Sequence, residues 1–103
     1  MLYYQNRVII KNIIMAEYPL IPKEKCPHVG DVRVTHSDMQ ACVQCGITNH
    51  LRQCTSCGKV FCCESDNAHN KQHFEETGHP IIKSQGTPYD FYWCYECKGY
   101  IDM

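Results

Sequence analysis

A small α+β domain, with an apolar core too modest to hold it unaided, is predicted by three observations. The chain has 103 residues, room for one domain with limited burial. It carries nine cysteines and six histidines, far more than packing requires. Short alternating runs of strand character bracket a single helical segment.

The elements follow in order. Residues 1–25 contain no cysteine or histidine and end in the proline-spaced run Pro19-Leu20-Ile21-Pro22. Residues 1–23 are expected to be a loose N-terminal extension. Met15 opens a plausible alternative start, which would make residues 1–14 an upstream segment. The competing reading is a docking strand or helix built on Val8, Ile9, Ile10, Ile13 and Ile14. Residues 24–103 form the domain proper. Strands are expected at His50–Gln53, Val60–Cys62, Ile81–Lys83 and Tyr89–Trp93. A helix is expected from Asn67 to Glu76, capped by Ser65 or Asp66 and stopped by Gly78. The neighbourhoods of Gly58 and Gly86 read as turns.

Cysteine at this density means either a disulfide scaffold or a metal scaffold. The first fourteen residues are interrupted by Arg7 and Lys11 and offer no signal-peptide apolar stretch. No run is long enough to cross a bilayer. An odd cysteine count also suits full pairing poorly. The reading is a zinc scaffold in a cytoplasmic protein with no membrane role. Ten Lys and Arg against eleven Asp and Glu, scattered along the chain, predict no nucleic-acid partner.

The ligand-type residues run Cys26-x-His28, Cys42-x2-Cys45, Cys54-x2-Cys57, Cys62, His69, His73, His79 and Cys94-x2-Cys97. Each C-x2-C pair lets two thiolates converge on one tetrahedral ion. Gly46 and Gly58 directly follow two of the pairs, and Lys98-Gly99 follows the third. Twelve ligands make three closed sites of four, and closed sites are structural because a catalytic zinc keeps a position open. Spacing alone leaves the partition among ions undecided. Cys63 is expected to be a spare buried thiol, and His36 and His50 ordinary surface histidines. These leftovers offer no nucleophile–base pair, so no catalysis is expected.

The order of these residues resembles the ubiquitin-specific-protease-type zinc finger, also called the BUZ domain. The residues that carry the likeness are Cys26-Pro27-His28, Cys42-Val43-Gln44-Cys45, Cys54-Thr55-Ser56-Cys57-Gly58, Val60-Phe61-Cys62, His69-Asn70-Lys71-Gln72-His73-Phe74, Thr77-Gly78-His79-Pro80 and Trp93-Cys94-Tyr95-Glu96-Cys97. RING domains order their ligands differently and lack the trailing W-C-x2-C. The resemblance implies a twisted antiparallel sheet with one or two helices and three cross-braced zinc sites. It implies that Cys42, Cys45, Cys62 and His69 share one ion, and Cys54, Cys57, His73 and His79 a second. Cys26 and His28 would meet Cys94 and Cys97 on a third.

Members of this family that bind ubiquitin capture its free C-terminal Gly-Gly tail beside the zinc sheet. The resemblance places Trp93, Tyr95 and Tyr100 at pocket positions. It implies a monomeric interaction module whose partner is a protein or peptide C-terminus, ubiquitin or a ubiquitin-like protein. Tail binders carry Gly-Arg after the cysteine matching Cys62, whereas this chain has Cys63-Glu64-Ser65. Glu64 would repel the carboxylate that an arginine attracts. Losing one charge-assisted contact costs about 1.5–3 kcal/mol, so weakening by one or more orders of magnitude is expected. Arg52, in place of a family aromatic, or Lys59 would be the compensating cation. The His50-Leu-Arg-x-Cys pattern looks more like short free-standing bacterial members of the family. The rival reading is a purely structural zinc-held docking domain for another protein.

Overall fold

In the computed structural model the described residues are 7–10, 13–16, 18–86 and 90–103, with side chains described from residue 18 onward. Near the N-terminus, β1 (Arg7–Ile10) and β2 (Ile13–Ala16) pair antiparallel as a hairpin, with Ile10 opposite Ile13. Val8, Ile9, Ile10, Ile13 and Ile14 therefore lie in strands, and Met15 lies within β2 opposite Val8.

The main sheet has six strands in the order β3-β8-β7-β6-β4-β5. They are β3 (Leu20–Pro22), β4 (Leu51–Cys54), β5 (Val60–Cys62), β6 (Ile81–Gln85), β7 (Tyr92–Cys94) and β8 (Gly99–Asp102). Every pair is antiparallel except β3 with β8, so the sheet is mixed. Strand β3 comes from the segment read as an extension. Its closing Pro22 lacks a donor, which an edge strand tolerates. Two 3-10 turns, Lys23–Lys25 and Val29–Asp31, flank Cys26 and His28.

Three of the predicted strands shift at their ends. His50 adopts φ 53, outside the strand region, so β4 starts at Leu51. Strand β6 runs on to Gln85, and β7 covers Tyr92–Cys94. Tyr89 lies outside the described residues.

The helix α1 spans His69–Thr77 rather than starting at Asn67. Neither Ser65 nor Asp66 caps it; the cap position is Ala68, at φ 57, with no side-chain bond. The reason is local. The Cys63 carbonyl accepts the Asp66 and Ala68 N–H groups, closing a turn before the helix. The Asp66 carboxylate is engaged with His50 instead. At the other end the Gly78 N–H returns to the Phe74 carbonyl, as the sequence implied.

The core is small and partly made of thiols. One cluster joins Cys42, Leu51, Cys54, Val60, Phe61 and Cys62, backed by Met39 and Ile47. The other joins Cys26, Ile81, Cys94 and Ile101, backed by Ile21, Val29, Val32, Tyr92 and Cys97. Six cysteines among these two clusters mean that whatever holds the sulfurs also holds the core. Among the described residues no helix is long and apolar enough to cross a membrane.

Candidate metal centres and an aromatic cleft

The twelve ligand-type residues fall into three groups of four. The first unites the two ends of the domain. Cys26 and His28 arrive from between the 3-10 turns, Cys94 ends β7, and Cys97 lies in the turn to β8. His28 Nδ1 is 3.4 Å from both Cys94 Sγ and Cys97 Sγ and 3.8 Å from Cys26 Sγ. Cys26 Sγ and Cys97 Sγ are 3.7 Å apart.

The second group takes Cys42 and Cys45 from the loop before β4, Cys62 from β5 and His69 from the start of α1. His69 Nδ1 is 3.5 Å from Cys42 Sγ and from Cys62 Sγ, and Cys45 Sγ is 3.9 Å from Cys62 Sγ. In the third, Cys54 Sγ is 3.4 Å from His79 Nδ1 and Cys57 Sγ is 3.5 Å from His73 Nε2. His73 Nε2 and His79 Nδ1 are 3.2 Å apart.

His69 and His73 are one turn apart on α1 yet serve different groups. The ring atom resolves this: His69 presents the near nitrogen Nδ1, His73 the far nitrogen Nε2. Phe61 stacks on His73 at 4.4 Å between ring centroids, fixing that ring's direction.

The separations fit zinc. Metal–sulfur and metal–nitrogen bonds of about 2.3 and 2.1 Å give tetrahedral edges of about 3.8 Å (S–S), 3.6 Å (S–N) and 3.4 Å (N–N). The donor distances above scatter around these edges. Electrostatics agrees. Burial, reinforced by the Cys26 and Cys97 thiols, pushes the Cys94 thiol up to about 12. Burial likewise raises Cys54 and Cys62. Such thiols become thiolates only when a cation shares their site. Burial, then the neighbouring His79, lowers His73, which keeps its imidazole neutral as a ligand must be.

The knuckles are shaped as the sequence suggested at two of three places. Gly46 and Gly58 take φ 80 and 86 directly after Cys45 and Cys57. After Cys97 the left-handed position is Lys98, at φ 57, not Gly99. Gly99 serves a different purpose. A Cβ there would lie 2.7 Å from Ile21 Cδ1 and 3.0 Å from Pro19 Cγ, so its absence lets β3 approach β8.

Beside the sheet lies a cleft of about 340 Å³. It is lined by Tyr18, Arg52, Glu64, Ile82, Phe91, Trp93, Tyr95 and Tyr100. All four residues named from sequence as peptide contacts therefore share one space. Lys59, the other candidate cation, does not line it. Trp93 meets Tyr18 and Tyr100 edge-on at 5.0 Å each, and Tyr95 stacks on Phe74 at 4.7 Å. The Arg52 guanidinium lies 5.0 Å over the Phe91 ring and donates from Nη1 to the Leu51 carbonyl at 2.9 Å. Among the described residues it meets no carboxylate.

Glu64 also faces this cleft. The Tyr95 hydroxyl donates to Glu64 Oε2 at 2.9 Å and accepts from buried Asn70 Nδ2 at 2.8 Å. Burial, then Glu64, pushes the Tyr95 phenol well above its usual range, so it stays a donor. Sequence reasoning missed Tyr18, Ile82 and Phe91 as lining residues. Tyr18 lay in the presumed extension, and nothing local marked it.

The comparisons fit this geometry. Residues 42–103 match the family described as zinc finger in ubiquitin-hydrolases and other protein. Ubiquitin carboxyl-terminal hydrolase 44 of Ailuropoda melanoleuca is 32% identical over 88 residues, covering 80% of this chain and 12% of that protein. The NAD-dependent deacetylase sir2A of Dictyostelium discoideum is 37% identical over 60 residues, 58% of this chain and 11% of that one. A solution NMR structure of protein RPA1320 from Rhodopseudomonas palustris superposes with a TM-score of 0.64 at 35% identity. That superposition covers 73% of this chain and 78% of the other. The chain spans only about an eighth of the length of the hydrolases it matches.

Proposed function

Because the chain belongs to the family of zinc fingers found in ubiquitin hydrolases and other proteins, we propose that it is a three-zinc module that reads a free peptide C-terminus. The matched region is a zinc finger, not a catalytic domain. That related fingers sit in a protein named for ubiquitin hydrolysis and in one named for deacetylation supports a docking role separable from either chemistry. The ligand proposed is the tail of ubiquitin or of a ubiquitin-like protein.

One observation carries this reading. Arg52, without a carboxylate partner among the described residues, shares a cleft with Trp93, Tyr95 and Tyr100. Aromatic faces suit a slim glycine-ended backbone, and a guanidinium suits its terminal carboxylate. Glu64 opposes the same carboxylate, so the affinity is expected to be low for the family.

The test is calorimetric titration of the zinc-loaded protein with ubiquitin carrying a free C-terminal carboxylate, and with ubiquitin amidated there. Binding is expected for the free form alone, weakened tenfold or more by Arg52→Ala. Equal binding of both forms, or none, would retire tail reading and leave a zinc-held docking domain for another protein.

A further inference from the structure

A fourth cluster of metal-type donors lies outside the three groups of four. Cys63 Sγ, one ring nitrogen of His50 and one carboxylate oxygen of Asp66 all lie within 4.8 Å of one another. We propose that His50, Cys63 and Asp66 form an additional, exchangeable divalent-metal site that takes zinc through three protein donors. A three-donor site leaves one coordination position for water, unlike a closed structural site.

The donor chemistry is that of a first-row transition ion: one imidazole, one thiol and one carboxylate. His50 Nδ1 and Asp66 Oδ2 are 3.1 Å apart, close to the edge of about 3.3 Å that two such ligands span on zinc. Cys63 is buried, and the Ser65 N–H donates to its sulfur at 3.3 Å. The same contact, two residues on, occurs within the second centre, where the Gln44 N–H meets Cys42 Sγ at 3.4 Å.

The backbone also holds the donors together. His50 is kept in the left-handed region at φ 53, and its carbonyl accepts the Cys63 N–H at 3.1 Å. Entry is open on one side, since the His50 side chain is 59% exposed while that of Asp66 is 23% exposed. Fewer donors and an open face make this ion weaker than those in the closed centres.

Occupancy would have a consequence for the cleft. Glu64 stands between Cys63 and Asp66 in sequence and receives the Tyr95 hydroxyl. An ion gripping both neighbours fixes the segment that presents Glu64. The site itself does not depend on what the cleft binds.

The test starts from purified protein whose tightly held zinc has been counted. Cobalt(II) is then titrated in, with thiolate-to-cobalt charge-transfer absorption and zinc release followed together. One cobalt ion is expected beyond the tight complement, without zinc release. The Cys63→Ser variant should lose that absorption, and Asp66→Asn should weaken cobalt binding tenfold or more. Cobalt uptake only in exchange for released zinc, or an unchanged absorption in Cys63→Ser, would overturn the proposal. If Cys63→Ser fails to fold, the Asp66→Asn and His50→Gln variants decide it. Unchanged cobalt affinity in both would overturn the site.

Discussion

Stripping zinc from this protein with a strong chelator is expected to unfold it. The apolar clusters take in six of the nine cysteines, so the sulfurs are the core and not an ornament on it. Without an ion, thiols such as Cys94 stay protonated, and each centre becomes a crowded set of weak donors. Structural zinc contributes an apparent ~10–16 kcal/mol in small fingers, as much as or more than the whole stability of a typical domain. Circular dichroism and amide dispersion should therefore collapse on chelation and return on adding zinc. Acidification acts in the same direction, because protons compete with the ion for thiolate and imidazole. A chelated protein that keeps native dispersion would show that the apolar contacts suffice.

If the cleft reads a free tail as proposed, replacing Glu64 by arginine is expected to raise the affinity for a free peptide carboxylate by tenfold or more. The change removes a like charge from the cleft wall and adds a second guanidinium beside Arg52. One charge-assisted hydrogen bond contributes about 1.5–3 kcal/mol, and relief of repulsion adds to it. The Tyr95 hydroxyl loses its acceptor but keeps the bond from Asn70, so the aromatic wall should stand. Calorimetry with free-tailed and amidated ubiquitin reads the effect, which should appear for the free tail only. An unchanged or lower affinity for the free tail would place the carboxylate elsewhere than this cleft.

The sequence made some of this legible and left the rest hidden for physical reasons. The ligand types and their pairing into knuckles were visible, since C-x2-C spacing is a local signal. Their partition was not given by spacing and came only from the family resemblance. His69 and His73 share a helix face, and only the choice between Nδ1 and Nε2 sends them apart. Strand β5 and the first three residues of β6 followed from alternation. Strands β3 and β8 did not, because three or four residues beside prolines or a knuckle carry too little pattern. The helix start was misplaced because Asp66, a good cap in isolation, is engaged by His50. Gly99 was read as turn chemistry, whereas its position answers to the close approach of Pro19 and Ile21. Such long-range contacts leave no local mark in the chain. The cleft shows the same limit: Trp93, Tyr95 and Tyr100 were named, but Tyr18 comes from a distant segment that only the fold brings to them.

Native mass spectrometry of the folded protein, after brief treatment with a weak chelator to remove exchangeable metal, tests the central claim most directly. The account predicts a chain carrying three zinc ions, with one ion fewer in any Cys45→Ser or Cys57→Ser variant that remains folded. A folded wild-type chain that holds two ions or fewer would contradict it.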